Sequence, residues 1–180
     1  MNAGVQLRQI GPAEAHLLIA MYETFDPLGA ALGLPPHTRE ARRRWIANAV
    51  CETVNVAAFS PAGETVGHAF LAPDNPGSAE IAVFVHQDFR RRGIGVELLR
   101  EALEWGRAVH LRRVWAVTAS ENRAALRLLT RCGFRLVRSD SDVAEFDLDL
   151  DVLRGTRDLV EMSRPPIPYR TGSTTNQEEF

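Results

Sequence analysis

The chain has little cysteine, no long apolar run and almost no net charge, and each shortage removes a class of function. Only Cys51 and Cys132 occur in 180 residues. They lack metal-ligand spacing and cannot build a disulfide framework, so no metal is expected and a reduced, cytoplasmic setting is the default. No stretch approaches the ~18 uninterrupted apolar residues of a membrane span, so no membrane partner is expected. The opening residues, MNAGVQLRQIGPAEAH, lack a basic segment followed by an apolar one and do not read as a signal peptide. The formal net charge of -2 argues against nucleic acid or an anionic surface as partner. No aromatic residues interleave with the arginine cluster at 90–92, as a single-strand platform would require.

Two nucleotide motifs are absent as well. There is no Gly-Lys-Ser/Thr, and Gly93-Ile94-Gly95 is followed by Val96 and Glu97. A phosphate loop of the first kind and a dinucleotide fingerprint with its third glycine are both excluded.

What is present is a globular composition, 45% hydrophobic and 24% charged, on a chain long enough for one cored domain plus a tail. Val5–Ile10 alternates as a strand. Gly11-Pro12 opens a helix through AEAHLLIAMYETF, and Thr38 can cap a second, REARRRWIANAVCE. TVNVAAFS and TVGHAFLA around PAGE read as a hairpin, and PDNPGS as a loop. AEIAVFV (79–85) is apolar almost throughout, as in a strand buried on both faces. Residues 93–110 carry Val96, Leu99, Leu103, Gly106 and Val109 on or near one side of a helix. A strand at 114–119, a helix ENRAALRLLTRC ended by Gly133, and a last hairpin of FRLVR and VAEFDLDL complete the order β-α-α-β-β-β-α-β-α-β-β, a mixed α/β domain. Residues 151–180, with RPPIPYRTGSTTNQEEF, read as an extension, partly ordered or disordered.

The informative stretch is HQDFRRRGIGVELLREALEWG. A buried strand is followed by a basic Gly-x-Gly turn and then a helix. The first turn of a helix has unpaired N–H groups and a partial positive charge. Glycine removes the Cβ that would hold a ligand off the backbone. The physics is that of a phosphate at a helix start, with Arg90, Arg91 and Arg92 adding charge at the mouth.

Here the sequence resembles the GNAT superfamily of N-acetyltransferases. Arg90-Arg91-Arg92-Gly93-Ile94-Gly95 matches its Gln/Arg-x-x-Gly-x-Gly/Ala pyrophosphate loop. Asn122-Arg123-Ala124-Ala125 through Gly133-Phe134 matches its Asn-x-x-Ala to Gly-Phe signature. The resemblance is tightest over 79–137 and extends in element order from residue 5 to about 150. It implies a GNAT-like mixed sheet of about seven strands, splayed between the fourth and fifth and flanked by about four helices, in an acetyl-CoA-binding domain spanning 1–150. It implies that the backbones of Val83, Phe84 and Val85 meet the pantetheine arm, and that the N–H groups of Arg91 to Val96, Ile94 among them, hold the pyrophosphate. Asn122, with Ala125, either bonds the cofactor or caps a helix.

The implied reaction is transfer of acetyl from acetyl-CoA to a primary amine on a small molecule, peptide or protein lysine. A lysine-like amine has pKa ~10.4, so a base or a desolvating pocket is needed. Glu80, at the start of an otherwise apolar strand, is either that base or an outward-facing strand end. His86 is a second candidate or a loop-surface residue. His68 faces the acceptor pocket or is structural. Many family members carry a tyrosine acid seven residues after the asparagine, where this chain has Leu129. Others place a glutamate at the position of Val117. Cys132 could approach the leaving sulfur or is a small buried residue. The alternative is a non-catalytic acyl-CoA-binding module. Arg42–Arg44 read as a solvated face, and the expected state is monomer or homodimer.

Overall fold

The computed structural model describes residues 4–26, 35–36 and 38–151. The expected extension from 152 onward, and most of the loop FDPLGAALGLPPH, lie outside the described residues. Among the described residues there are seven strands and four α-helices: β1 (Gln6–Ile10), α1 (Ala15–Glu23), α2 (Arg39–Glu52), β2 (Val54–Phe59), β3 (Thr65–Asn75), β4 (Ser78–Val85), α3 (Ile94–Ala108), β5 (Arg113–Ala119), α4 (Arg123–Arg131), β6 (Arg135–Ser139) and β7 (Val143–Asp149). The predicted mixed α/β order is the observed one. The strands form one sheet in the order β1-β2-β3-β4-β5-β7-β6. Neighbours are antiparallel except β4 and β5, which are parallel.

Helix starts follow local chemistry. The Thr38 hydroxyl accepts the Ala41 N–H at 3.2 Å, the cap the sequence predicts. Asn122 does the same for α4, accepting the Ala125 N–H at 3.1 Å. The buried side of α3 is Ile94, Leu98, Leu99, Ala102, Leu103 and Gly106, packed against one face of the sheet. The predicted stripe is right at Leu99, Leu103 and Gly106, whereas Val96 and Val109 sit at its half-buried margin. On the opposite face, α1 and α2 bury Leu18, Met21, Tyr22, Ile46 and Val50 with Phe84.

The stretch PDNPGS is not a loop throughout. β3 runs to Asn75 and β4 starts at Ser78, leaving Pro76-Gly77 as the turn. Pro73 is tolerated because β2 stops pairing at Leu71. Its missing N–H would point to the side β2 has already left.

α3 sits close to the sheet at Gly67. A Cβ there would lie 2.7 Å from Leu98 Cδ1 and 3.2 Å from the Phe84 carbonyl. Gly67→Ala is therefore expected to destabilise the fold by about 1–3 kcal/mol, read as a lower urea midpoint. An unchanged midpoint would mean that α3 does not pack as closely as described.

Candidate active site

β4 and β5 pair only at Ser78↔Arg113, Ala79↔Val114 and Glu80↔Trp115. Past Glu80 the two strands separate, as the resemblance implied. The opening is a cleft of about 1200 Å³ between β4, β5, the start of α3 and α4. β4 is not buried on both faces along its length: Val83 and Val85 are half-buried because they line this cleft.

The backbone of β4 has a definite phase. The His86 N–H donates to the Val66 carbonyl at 2.9 Å. Bonded and non-bonded pairs alternate in an antiparallel ladder. Phe84 and Ala82 therefore commit their backbone groups to β3, while Val83 and Val85 turn theirs toward the side β5 has left. The Val85 carbonyl accepts Arg90 Nε at 3.0 Å. Phe84 also lines the cleft, but its ring lies in the cluster on the other face, edge-on to Tyr22 at 5.7 Å.

Beyond β4 the chain makes a short turn and enters α3. Gly93 caps α3 with φ 88, a left-handed conformation that glycine takes without strain. Among the described residues, no acceptor takes the N–H groups of Arg91, Arg92, Gly93, Ile94 or Gly95. The Val96 N–H closes on the Gly93 carbonyl at 2.9 Å, so the open donors end at Gly95. A Cβ at Gly95 would sit 3.5 Å from Leu128 Cδ2 and 3.7 Å from Val85 Cγ2, at the narrow end between β4 and α4. A row of backbone donors at a helix start, beside apolar walls, fits a pyrophosphate with an extended thioester arm.

The three arginines have different tasks. Arg90 Nη2 donates to the Asp26 carbonyl at 2.5 Å, and its guanidinium lies over the Phe25 ring at 5.6 Å. It ties the residues after α1 to the end of β4. Arg92 donates to the Asp88 carbonyl at 2.8 Å and stacks on Phe89 at 5.1 Å. Arg91 is exposed at the mouth, with φ 61.

Glu80 lines the closed end of the cleft, in the last β4–β5 pair. Partial burial, and then the nearby Asp74 carboxylate, raise its pKa above the usual carboxylate value. His86 is not among the cleft's lining residues. It lies within hydrogen-bonding distance of the Thr24 hydroxyl, Nε2 to Oγ1 at 3.1 Å, and accepts the Asp88 N–H at 3.4 Å, which makes it a joint between the α1 end and the turn. Asn122 lines the cleft while its Oδ1 caps α4. Ala125, Val117 and Leu129 line it too, Leu129 at 5% exposure. Cys132 packs against the core outside the lining, where burial pushes its thiol up against the opposing pull of Arg100 and Arg131.

His68 is fully buried and bonded at both ring nitrogens. Asn55 uses its Nδ2 to donate to the carbonyls of Ala49 and Thr53, so its Oδ1 is left to accept from His68 Nε2 at 3.0 Å. Nδ1 then accepts the Tyr22 hydroxyl at 2.9 Å. Burial pushes the His68 pKa down to about 3 and the Tyr22 phenol well up. His68 is structural.

Sequence reasoning missed Asp74 and Trp115. Asp74 lay in a presumed loop, and Trp115 read as one more apolar residue of a buried strand. Neither carries a local motif.

Comparison with known proteins agrees with this geometry. The family model described as Acetyltransferase (GNAT) family matches residues 18–134. An L-methionine sulfoximine/L-methionine sulfone acetyltransferase of Pseudomonas paraeruginosa (strain DSM 24068 / PA7) is 30% identical over 139 residues, 72% of this chain and 80% of that protein. A GNAT superfamily phosphinothricin acetyltransferase of Sinorhizobium meliloti, solved in complex with AcCoA, superimposes with a TM-score of 0.66 at 18% identity, over 81% of this chain and 88% of that one. A ribosomal-protein-alanine N-acetyltransferase of Brucella melitensis gives 0.65 at 24% identity, over 80% and 99%. The chain belongs to the acetyltransferase (GNAT) family and is an enzyme of that class.

Proposed function

We propose that this enzyme transfers an acetyl group from acetyl-CoA to a primary amine of a small molecule, with Glu80 as the base. One observation carries the reading. The β4–β5 pairing ends at Glu80, so a single cleft joins a partly buried carboxylate to the open N–H groups of 91–95. When bound, acetyl-CoA supplies an acyl group activated as a thioester. The N–H groups from Arg91 to Gly95 and the exposed Arg91 side chain hold its phosphates. The backbone groups of Val83 and the N–H of Val85 hold the arm and offer a donor to the acyl oxygen. Glu80 takes the proton from the acceptor ammonium, and its raised pKa narrows the gap to the amine. The buried Leu129 donates nothing, and none of these steps needs it to. A thiol has pKa ~8.5, so the sulfur leaves as thiolate and is protonated by solvent. His86 takes no part.

The acceptor class rests on the Pseudomonas relative, which acts on methionine sulfoximine and methionine sulfone. The reading places the reaction in the cytoplasm, as a monomer or homodimer. No helix among the described residues is long and apolar enough to cross a membrane.

The test is thiol release from acetyl-CoA across a panel of primary amines, with methionine sulfoximine, phosphinothricin and a lysine peptide included. The chain contains no lysine, so any acetyl-lysine found belongs to the peptide. Amine-dependent release is expected with a small amine. Acetyl-CoA binding with no release from any amine would favour the binding-module reading instead.

A further inference from the structure

Trp115 and Asp74 stand on strands that do not touch. β4 lies between β3 and β5, and two strand spacings are about 10 Å. Yet the Trp115 indole N–H donates to Asp74 Oδ2 at 2.8 Å. The side chains must meet across β4, and Glu80 is the β4 residue paired directly with Trp115. Ala72, Glu80, Trp115 and Asp147 form one transverse row across β3, β4, β5 and β7, on one face of the sheet. The Trp115–Asp74 bond crosses that face beside Glu80.

We propose that this bond is a positioning device for the reaction: it fixes a second carboxylate beside Glu80 and makes Glu80 the stronger base toward the acceptor ammonium. The inference rests on Glu80 being the base. Asp74 is held at both oxygens, since Oδ1 accepts the Asn75 N–H at 2.8 Å. Partial desolvation works to raise Asp74, but the bonds from Trp115 and from the backbone outweigh it and keep its carboxyl below the ordinary value. It therefore stays charged where Glu80 titrates. The same face also carries Arg113 on β5, Glu145, Asp147 and Asp149 on β7 and Arg135 on β6, with Arg113 paired to Asp147 and Glu145 to Arg138. Ala72 on β3 carries no charge, and α4 contributes Arg127 and Arg131 to the cleft wall. Asp74 is the charge that acts on Glu80.

The experiment is a carbon-13 NMR titration of the glutamate carboxyls in the full chain without ligand. Glu80 is assigned by its loss in Glu80→Gln. The midpoint of Glu80 is expected to fall in Asp74→Asn, and in the same direction by less in Trp115→Phe, which frees the Asp74 carboxylate to turn away. The acid limb of kcat/KM is expected to follow. If the midpoint stays put in both variants, the pair does not tune Glu80 and the inference falls, while the base assignment stands. If the midpoint moves and the acid limb does not, Glu80 is not the base, and both fall.

Discussion

Glu80→Gln is expected to lower kcat/KM by a factor of ~10²–10⁴ near neutral pH, the usual worth of a positioned base. The shape of the loss matters more than its size. In the native enzyme the acceptor binds as an ammonium and Glu80 takes its proton. The rate then rises with pH through the raised Glu80 pKa and levels off. In the variant only the neutral amine reacts, so kcat/KM climbs tenfold per pH unit toward the amine pKa of ~10. The deficit is greatest just above the Glu80 pKa and shrinks as the amine deprotonates unaided. Thiol release measured from pH 6 to pH 10 separates the two profiles. A variant whose profile keeps the native plateau would remove Glu80 from the mechanism. Glutamine keeps the size of the side chain, so the fold is not at issue.

The second large effect is on stability. His68 is held neutral by complete burial, with its pKa near 3 in the fold against 6.5 in the open chain. As pH falls through 6.5 the unfolded chain takes up a proton that the folded chain refuses. His68 thus leaves stability intact above pH 6.5 and erodes it as pH falls toward 3, by ~1.4 kcal/mol per pH unit. Between pH 6.5 and 5 the loss is about 2 kcal/mol. Urea midpoints at pH 7.5, 6 and 5 follow it. His68→Gln can still accept from Tyr22 and donate to Asn55, and it does not titrate. Its stability is expected to lose the slope that His68 contributes across the same interval. Equal slopes for the two proteins would show that His68 is not buried as described.

The parts of this molecule that were legible in the sequence are those governed by local rules. Thr38 as a cap, Gly133 ending α4 and the α3 stripe through Leu99, Leu103 and Gly106 each follow from a few neighbouring residues. The splay between β4 and β5 came from resemblance alone. Nothing in AEIAVFV says where pairing with VWAVTA will stop. What stayed hidden depends on register. The phase that commits Phe84 to β3 and frees Val83 and Val85 is set by the whole β3–β4 ladder. Asp74 meets Trp115 only because β3 runs on to Asn75, up to the turn at Pro76-Gly77, beside the stretch where β4 pairs with β5. His86 looked like a base from its intrinsic pKa; it accepts the Asp88 N–H, and its hydrogen bond to Thr24, at the end of α1, depends on a contact between residues far apart in the chain. Arg90, expected at the mouth, lines the cleft and also anchors the stretch after α1 through Asp26 and Phe25, a contact between residues far apart in the chain.

Calorimetric titration of acetyl-CoA into the native chain and into Gly95→Trp tests the central claim most directly. Gly95 lies at the N-terminus of α3, with Leu128 and Val85 3.5–3.8 Å from where a Cβ would be. An indole there fills the narrow end of the cleft and covers the open N–H groups. The account predicts one site with micromolar affinity in the native chain, weakened at least a hundredfold in the variant. Native-like affinity in Gly95→Trp, or no heat from the native chain at millimolar acetyl-CoA, would contradict it.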